Sequence, residues 1–88
     1  MLNKRDRDVI LRCAKKYNAP SVFLFGSSVE KNTGNDIDLG VKGIKPELFF
    51  KFYADLIKGL SKPVDLVDLS KKSMFNKLVE KEGVKIYG

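Results

Sequence analysis

The chain contains no histidine and a single cysteine, Cys13. Without imidazole, neither a histidine base nor a histidine-held metal is available. One thiol can form no internal disulfide and cannot build a thiolate zinc centre. Any metal here must be held by oxygen, which points to magnesium or manganese. Long apolar runs are missing too: none approaches the roughly 20 residues needed to span a bilayer. The opening residues, Met1-Leu2-Asn3-Lys4-Arg5-Asp6, lack the apolar stretch of a secretory signal. These absences place the protein in the cytoplasm with no membrane partner. No repeat, low-complexity segment or linker interrupts the 88 residues, so 1–88 reads as a single domain.

What the chain does hold is the apolar content of a globular protein, 43%, and a formal charge of +6 from 17 lysines and arginines against 11 acids. The bland reading of that excess is a solvated lysine-rich surface. The sharper one is an anionic partner: a nucleotide, a nucleic acid or an acidic protein face.

Apolar periodicity predicts a helix over 6–17, with Val9, Ile10, Cys13 and Tyr17 on one stripe. Asp6 and Asp8 sit in its early turns and Lys15 and Lys16 near its end, as the helix dipole favours. Asn18 is its terminal residue and Pro20 stops it. Cys13 lies on the apolar stripe, the place of a small buried side chain and not of a nucleophile. A short, wholly apolar strand is predicted over 21–25, a helical turn over 28–31, a loop over 32–35, and a second strand over 36–41. Pro46 suits the first turn of a helix reaching residue 60. On that helix Leu48, Phe49, Phe52, Tyr53, Leu56, Ile57 and Leu60 form a wide stripe facing a sheet. A third strand follows over 64–67. Asp68 or Ser70 then caps a helix over 72–82 with Met74, Phe75, Leu78 and Val79 inward, and Gly83 follows as its C′ residue. Residues 84–87 alternate as a terminal strand.

Chemistry concentrates in three places. Gly26-Ser27 ends the first strand abruptly, and such a turn feeding a helix offers backbone N–H groups and a hydroxyl to a phosphate. Asp36 and Asp38 are separated by one residue, which on a strand puts both carboxylates on one face. Asp65 is an acid inside an otherwise apolar strand, where a carboxylate needs a partner. If the strands carrying these residues are neighbours, three negative charges converge, and a cation between them relieves the repulsion. Each feature alone has a structural reading: an edge strand's solvent face, an ordinary turn, an isolated acid. Taken together they read as a site for a magnesium-bound nucleotide.

Gly26-Ser27, then Asp36-Ile37-Asp38-Leu39, then Val64-Asp65-Leu66-Val67 resembles the minimal nucleotidyltransferases of the DNA polymerase β superfamily, the MNT domains or MntA-type antitoxins. The order of elements matches across essentially the whole chain. The resemblance implies an α/β (α+β) fold, a mixed sheet of about four strands flanked by helices. It implies transfer of a nucleoside monophosphate, AMP from ATP, to a hydroxyl on a protein, with a HEPN-type toxin as partner in a toxin–antitoxin pair. Asp36 and Asp38 would hold the metal ions, two Mg2+ or Mn2+. Asp65 would complete the second metal site and help deprotonate the acceptor. Gly26, Ser27 and Ser28 would bind the triphosphate. The loop of eight residues from Ser28 to Asn35 is shorter than is usual in the family, and Ser28 stands where a basic residue often follows, with Lys31 as a substitute. Those departures keep a second reading open, a module that neutralises its partner by docking alone. Nucleic-acid binding through the lysines is a third.

Overall fold

A computed structural model of the chain describes residues 2–26 and 36–88. The predicted helical turn over 28–31, the loop over 32–35, and Ser27, Ser28 and Lys31 lie outside the described residues. Among the described residues seven elements follow in order: α1 (Lys4–Lys16), β1 (Ser21–Phe25), β2 (Ile37–Lys42), α2 (Pro46–Gly59), β3 (Val64–Asp68), α3 (Met74–Glu82) and β4 (Val84–Tyr87). The four strands form one mixed sheet in the order β3-β2-β1-β4. β1 runs antiparallel to both β2 and β4, while β2 and β3 are parallel. Parallel neighbours need a crossover, and α2 supplies it.

The sheet's two faces are covered unequally. Val22 and Leu24 of β1, Ile37, Leu39 and Val41 of β2, and Leu66 of β3 point to one side. There they pack with Ile10 and Ala14 of α1 and Phe52 and Leu56 of α2 in the main core. The opposite face carries a smaller cluster of Phe23, Leu69 and Val79 beneath α3. Gly40 opens room for that cluster, since a Cβ there would stand 2.6 Å from Leu69 Cδ1. No helix among the described residues is long and apolar enough to cross a membrane.

α1 begins two residues earlier than the apolar stripe predicts, because the Asn3 side chain caps it, accepting the Asp6 N–H at 2.8 Å. It ends through Asn18, whose φ of 54° is left-handed, and the Ala19 N–H donates back to the Ala14 carbonyl at 2.9 Å. Asp6 corrects a simpler expectation. It is not a solvated dipole partner but is 2% exposed, and its carboxylate accepts the Ser61 N–H at 3.0 Å and the Ser61 hydroxyl at 2.6 Å. A buried charge is tolerable on such terms.

The wide stripe on α2 narrows on packing. Phe52, Leu56 and Leu60 are buried in one row, Leu48, Phe49 and Tyr53 are half-buried beside it, and Ile57 is 61% exposed. Ile57 ends the flanking row, beyond the reach of the sheet. α3 departs further. Its cap is Ser73, whose hydroxyl accepts the Asn76 N–H at 3.0 Å, whereas Asp68 ends β3 and accepts the Ser70 N–H at 2.9 Å. Only Asn76 and Val79 of α3 are buried, while Met74, Phe75 and Leu78, expected inside, are exposed. Asn76 fixes the helix's rotation by donating from Nδ2 to the carbonyls of Lys71 at 2.6 Å and Asp68 at 3.2 Å. Gly83 is not a left-handed C′ residue: it is the C-cap itself, with φ −77° and ψ 169°. A Cβ there would meet the Leu24 carbonyl oxygen at 2.9 Å, so the site demands glycine for closeness and not for conformation.

Candidate active site

Alternation along β1, β2 and β3 decides which side chains share the second sheet face. Phe25 stands in register with Asp38, and Asp38 with Asp65. Neighbouring strands lie roughly 4.8 Å apart, so Asp38 and Asp65 are cross-strand neighbours on one face. β2 starts at Ile37, so Asp36 sits in a bend just before the strand and not within it as the alternation predicts. Its charge nonetheless reaches Asp38. The Asp38 carboxyl is pushed above the usual carboxylate range, first by burial, then by the negative charge of Asp65, then by that of Asp36.

Gly26 closes β1 with φ 67°, left-handed backbone that L side chains seldom adopt. A Cβ on it would lie 2.7 Å from Asp38 Oδ2. The chain therefore turns against the carboxylate itself, and only glycine allows that approach. Of the sequence-predicted site residues, Gly26, Asp38 and Asp65 come together across three adjacent strands, with Asp36 beside them.

Asp36 and Asp65 are exposed and Asp38 is half-buried, so the site is open to a ligand. Among the described residues, no group of three or more His, Cys, Asp or Glu side chains is gathered closely enough to form a metal cage. A cage is not what magnesium needs. It is commonly held by one or two carboxylates plus the oxygens of a bound phosphate. A donor set of carboxylate oxygen alone, with one member disfavoured as an anion by burial and then by its neighbours, fits a hard divalent cation.

Phe25 adds an aromatic ring to this row that no acid or glycine signal marks; the same alternation places it beside Asp38. Its ring meets Phe75 of α3 edge-on, centroids 5.8 Å apart, and so joins the carboxylates to that helix. Beyond this row, Lys42 pairs with Glu80 of α3 at 2.6 Å. On the other side of the sheet, a groove of about 360 Å³ runs between α1 and α2 and shares no residue with the site. Cys13 lines it, and burial pushes its thiol up, as expected of a packing residue and not a nucleophile.

Residues 8–88 match the family model described as "Polymerase beta, Nucleotidyltransferase". No curated protein matches the chain. Among solved structures, a chain of a mutant MntA–HpeT toxin–antitoxin is 22% identical, with a TM-score of 0.76 over 99% of this chain and 74% of that one. A chain of a toxin–antitoxin with AMP-PNP is also 22% identical, with a TM-score of 0.72 over 93% and 73% of the two chains. A third likeness is to a chain of the tri-AMPylated Shewanella oneidensis HEPN toxin in complex with MNT antitoxin: 21% identity, TM-score 0.70, and 94% and 70% of the chains. At such identities the likeness is one of fold.

Proposed function

The chain belongs to the polymerase beta nucleotidyltransferase family, and from that premise we propose that it moves AMP from ATP to a protein hydroxyl. The acceptor is a HEPN-type toxin, for which the chain is the antitoxin, and residues 1–88 act as one nucleotidyltransferase domain in the cytoplasm. One observation carries the reading: Gly26, Asp38 and Asp65 meet across three strands on the open part of the second sheet face. Support for the acceptor comes from the structural relatives, one solved with AMP-PNP and one as an AMPylated HEPN toxin with its MNT antitoxin.

Asp36, Asp38 and Asp65 hold the divalent metal, Mg2+ or Mn2+, two ions on the family pattern. When bound, it neutralises triphosphate charge and makes the acceptor hydroxyl more acidic. The backbone N–H groups of the turn at Gly26, with Ser27 and Ser28, bind and orient the triphosphate. Asp65 takes the acceptor proton on a carboxylate oxygen. The hydroxyl oxygen bonds to the α-phosphorus, the bond from that phosphorus to the bridging oxygen breaks, and pyrophosphate leaves. Asp38, a carboxylate that the fold disfavours as an anion, gains from a cation alongside it.

Calorimetric titration of ATP, with and without magnesium, tests the reading on the wild type and on Asp38→Asn. We expect magnesium-dependent binding in the wild type, weakened at least about tenfold in the variant, with transfer of labelled AMP to a HEPN protein lost. Transfer retained by the variant would overturn the assignment. The docking-only alternative draws on the eight-residue loop from Ser28 to Asn35 and on Ser28 at the position of a basic residue. It requires Asp38→Asn to neutralise the toxin as well as the wild type does.

A further inference from the structure

α3 turns its polar and small-contact side inward through Asn76 and Val79, and its other side outward. Met74, Phe75 and Leu78 are 87%, 52% and 55% exposed. Three large apolar side chains on one turn of a nine-residue helix are an unusual surface for a small soluble domain. Two further observations say what meets them. The strip is continuous with the catalytic face, because Phe75 packs on Phe25 and Phe25 stands in register with Asp38. Its surroundings are mainly basic: Lys71, Lys72, Lys77 and Lys81 are exposed against the one exposed acid of the helix, Glu82, while Glu80 is paired with Lys42. The exposed Phe50 and Ile57 of α2 do not adjoin that face, since α2 covers the opposite side of the sheet.

We propose that the outer face of α3, formed by Met74, Phe75 and Leu78 within a lysine rim, is where the acceptor protein docks, through an acidic surface bearing apolar side chains beside the hydroxyl it presents. This rests on the reading that the acceptor is a protein. Apolar anchors supply the binding energy, the lysine rim steers the encounter and fixes orientation, and the Phe75–Phe25 contact sets the distance from the docked surface to Asp38 and Asp65.

The test measures AMP transfer at varied acceptor concentration, with a purified HEPN-type protein from the same organism as probe. Met74→Ser/Leu78→Ser removes only exposed side chains. It should raise KM for the acceptor by about tenfold or more with kcat little changed, and leave magnesium–ATP affinity within about twofold. Lys72→Glu/Lys77→Glu should raise the same KM, more at low salt than at high. Phe50→Ser/Ile57→Ser should leave it unchanged. Wild-type KM in the Met74/Leu78 variant, or a rise confined to the Phe50/Ile57 variant, overturns the docking face while the transferase reading stands. No transfer by the wild type overturns both. Wild-type binding to phosphatidylglycerol/phosphatidylcholine vesicles that is lost on Met74→Ser/Leu78→Ser, with KM unmoved, reassigns the face to lipid and overturns the proposal.

Discussion

Asp38 is held half-buried beside two other acids, and the consequence can be measured without any substrate. Its carboxyl binds a proton more tightly in the fold than in the open chain, because burial, then Asp65, then Asp36 disfavour the anion. Between the ordinary carboxylate pKa and the raised folded one, the native state therefore holds more protons than the unfolded state. Stability accordingly falls as pH rises through that window. Above it the full cost of the charge is present, and below the ordinary pKa the cost vanishes. In metal-free buffer at neutral pH, Asp38→Asn should therefore melt higher than the wild type, and the gap should close as the pH is lowered; thermal melts across the acid range check this. A lower Tm for the variant would mean that the carboxylate is stabilised by neighbours and not penalised by them. Asp38 and Asp65 were legible in the sequence because strand alternation and an acid in an apolar strand are local signals. Asp6 was not, since its partner Ser61 lies 55 positions away and no periodicity encodes that pairing.

The helices divide along similar lines. Periodicity says which side of a helix is apolar, but not how wide a surface it will meet. On α2 only Phe52 and Leu56 are buried, continued by Leu60 just past its end, and on α3 a buried asparagine turns three apolar residues outward. Their existence and order were readable, whereas the caps at Asn3 and Ser73 depended on single side chains reaching back to a nearby N–H. α1 is further tied to α2 where Asp55 accepts from the Tyr17 hydroxyl at 2.6 Å and from Lys16 at 3.0 Å. The tie at the other end involves the buried Asp6. Ser61→Ala leaves Asp6 with the Ser61 N–H alone and should cost about 1.5–3 kcal/mol, the range for a hydrogen bond to a charged group. Urea unfolding measures it as a lower midpoint at unchanged slope.

For the molecule as a unit, the sheet order places β1 and β2 inside and leaves β3 and β4 as edges. Leu24 and Leu39 lie in register on those inner strands, essentially inaccessible, beneath α1 and α2. Amide hydrogen exchange should therefore be slowest at Leu24, Leu39 and Val41 and faster by about a hundredfold or more in α3 and β4, where fewer apolar contacts resist local opening. Equal protection throughout would mean that α3 is integral to the cooperative core. The mixed sheet itself was anticipated from the family resemblance. Which strands are neighbours is a long-range fact that no local pattern records.

The in-phase pairing of β2 with β3 also guards the fold against its own errors. Ile37, Asp38 and Leu39 lie level with Val64, Asp65 and Leu66. Because side chains alternate, a slip of β3 by one position would drive Asp65 into the main core and turn Leu66 out to water. A misthreaded β3 is thus rejected by the electrostatic cost of burying the very carboxylate proposed for the site. The carboxylate proposed for catalysis and the guard on the strand's alignment are one side chain.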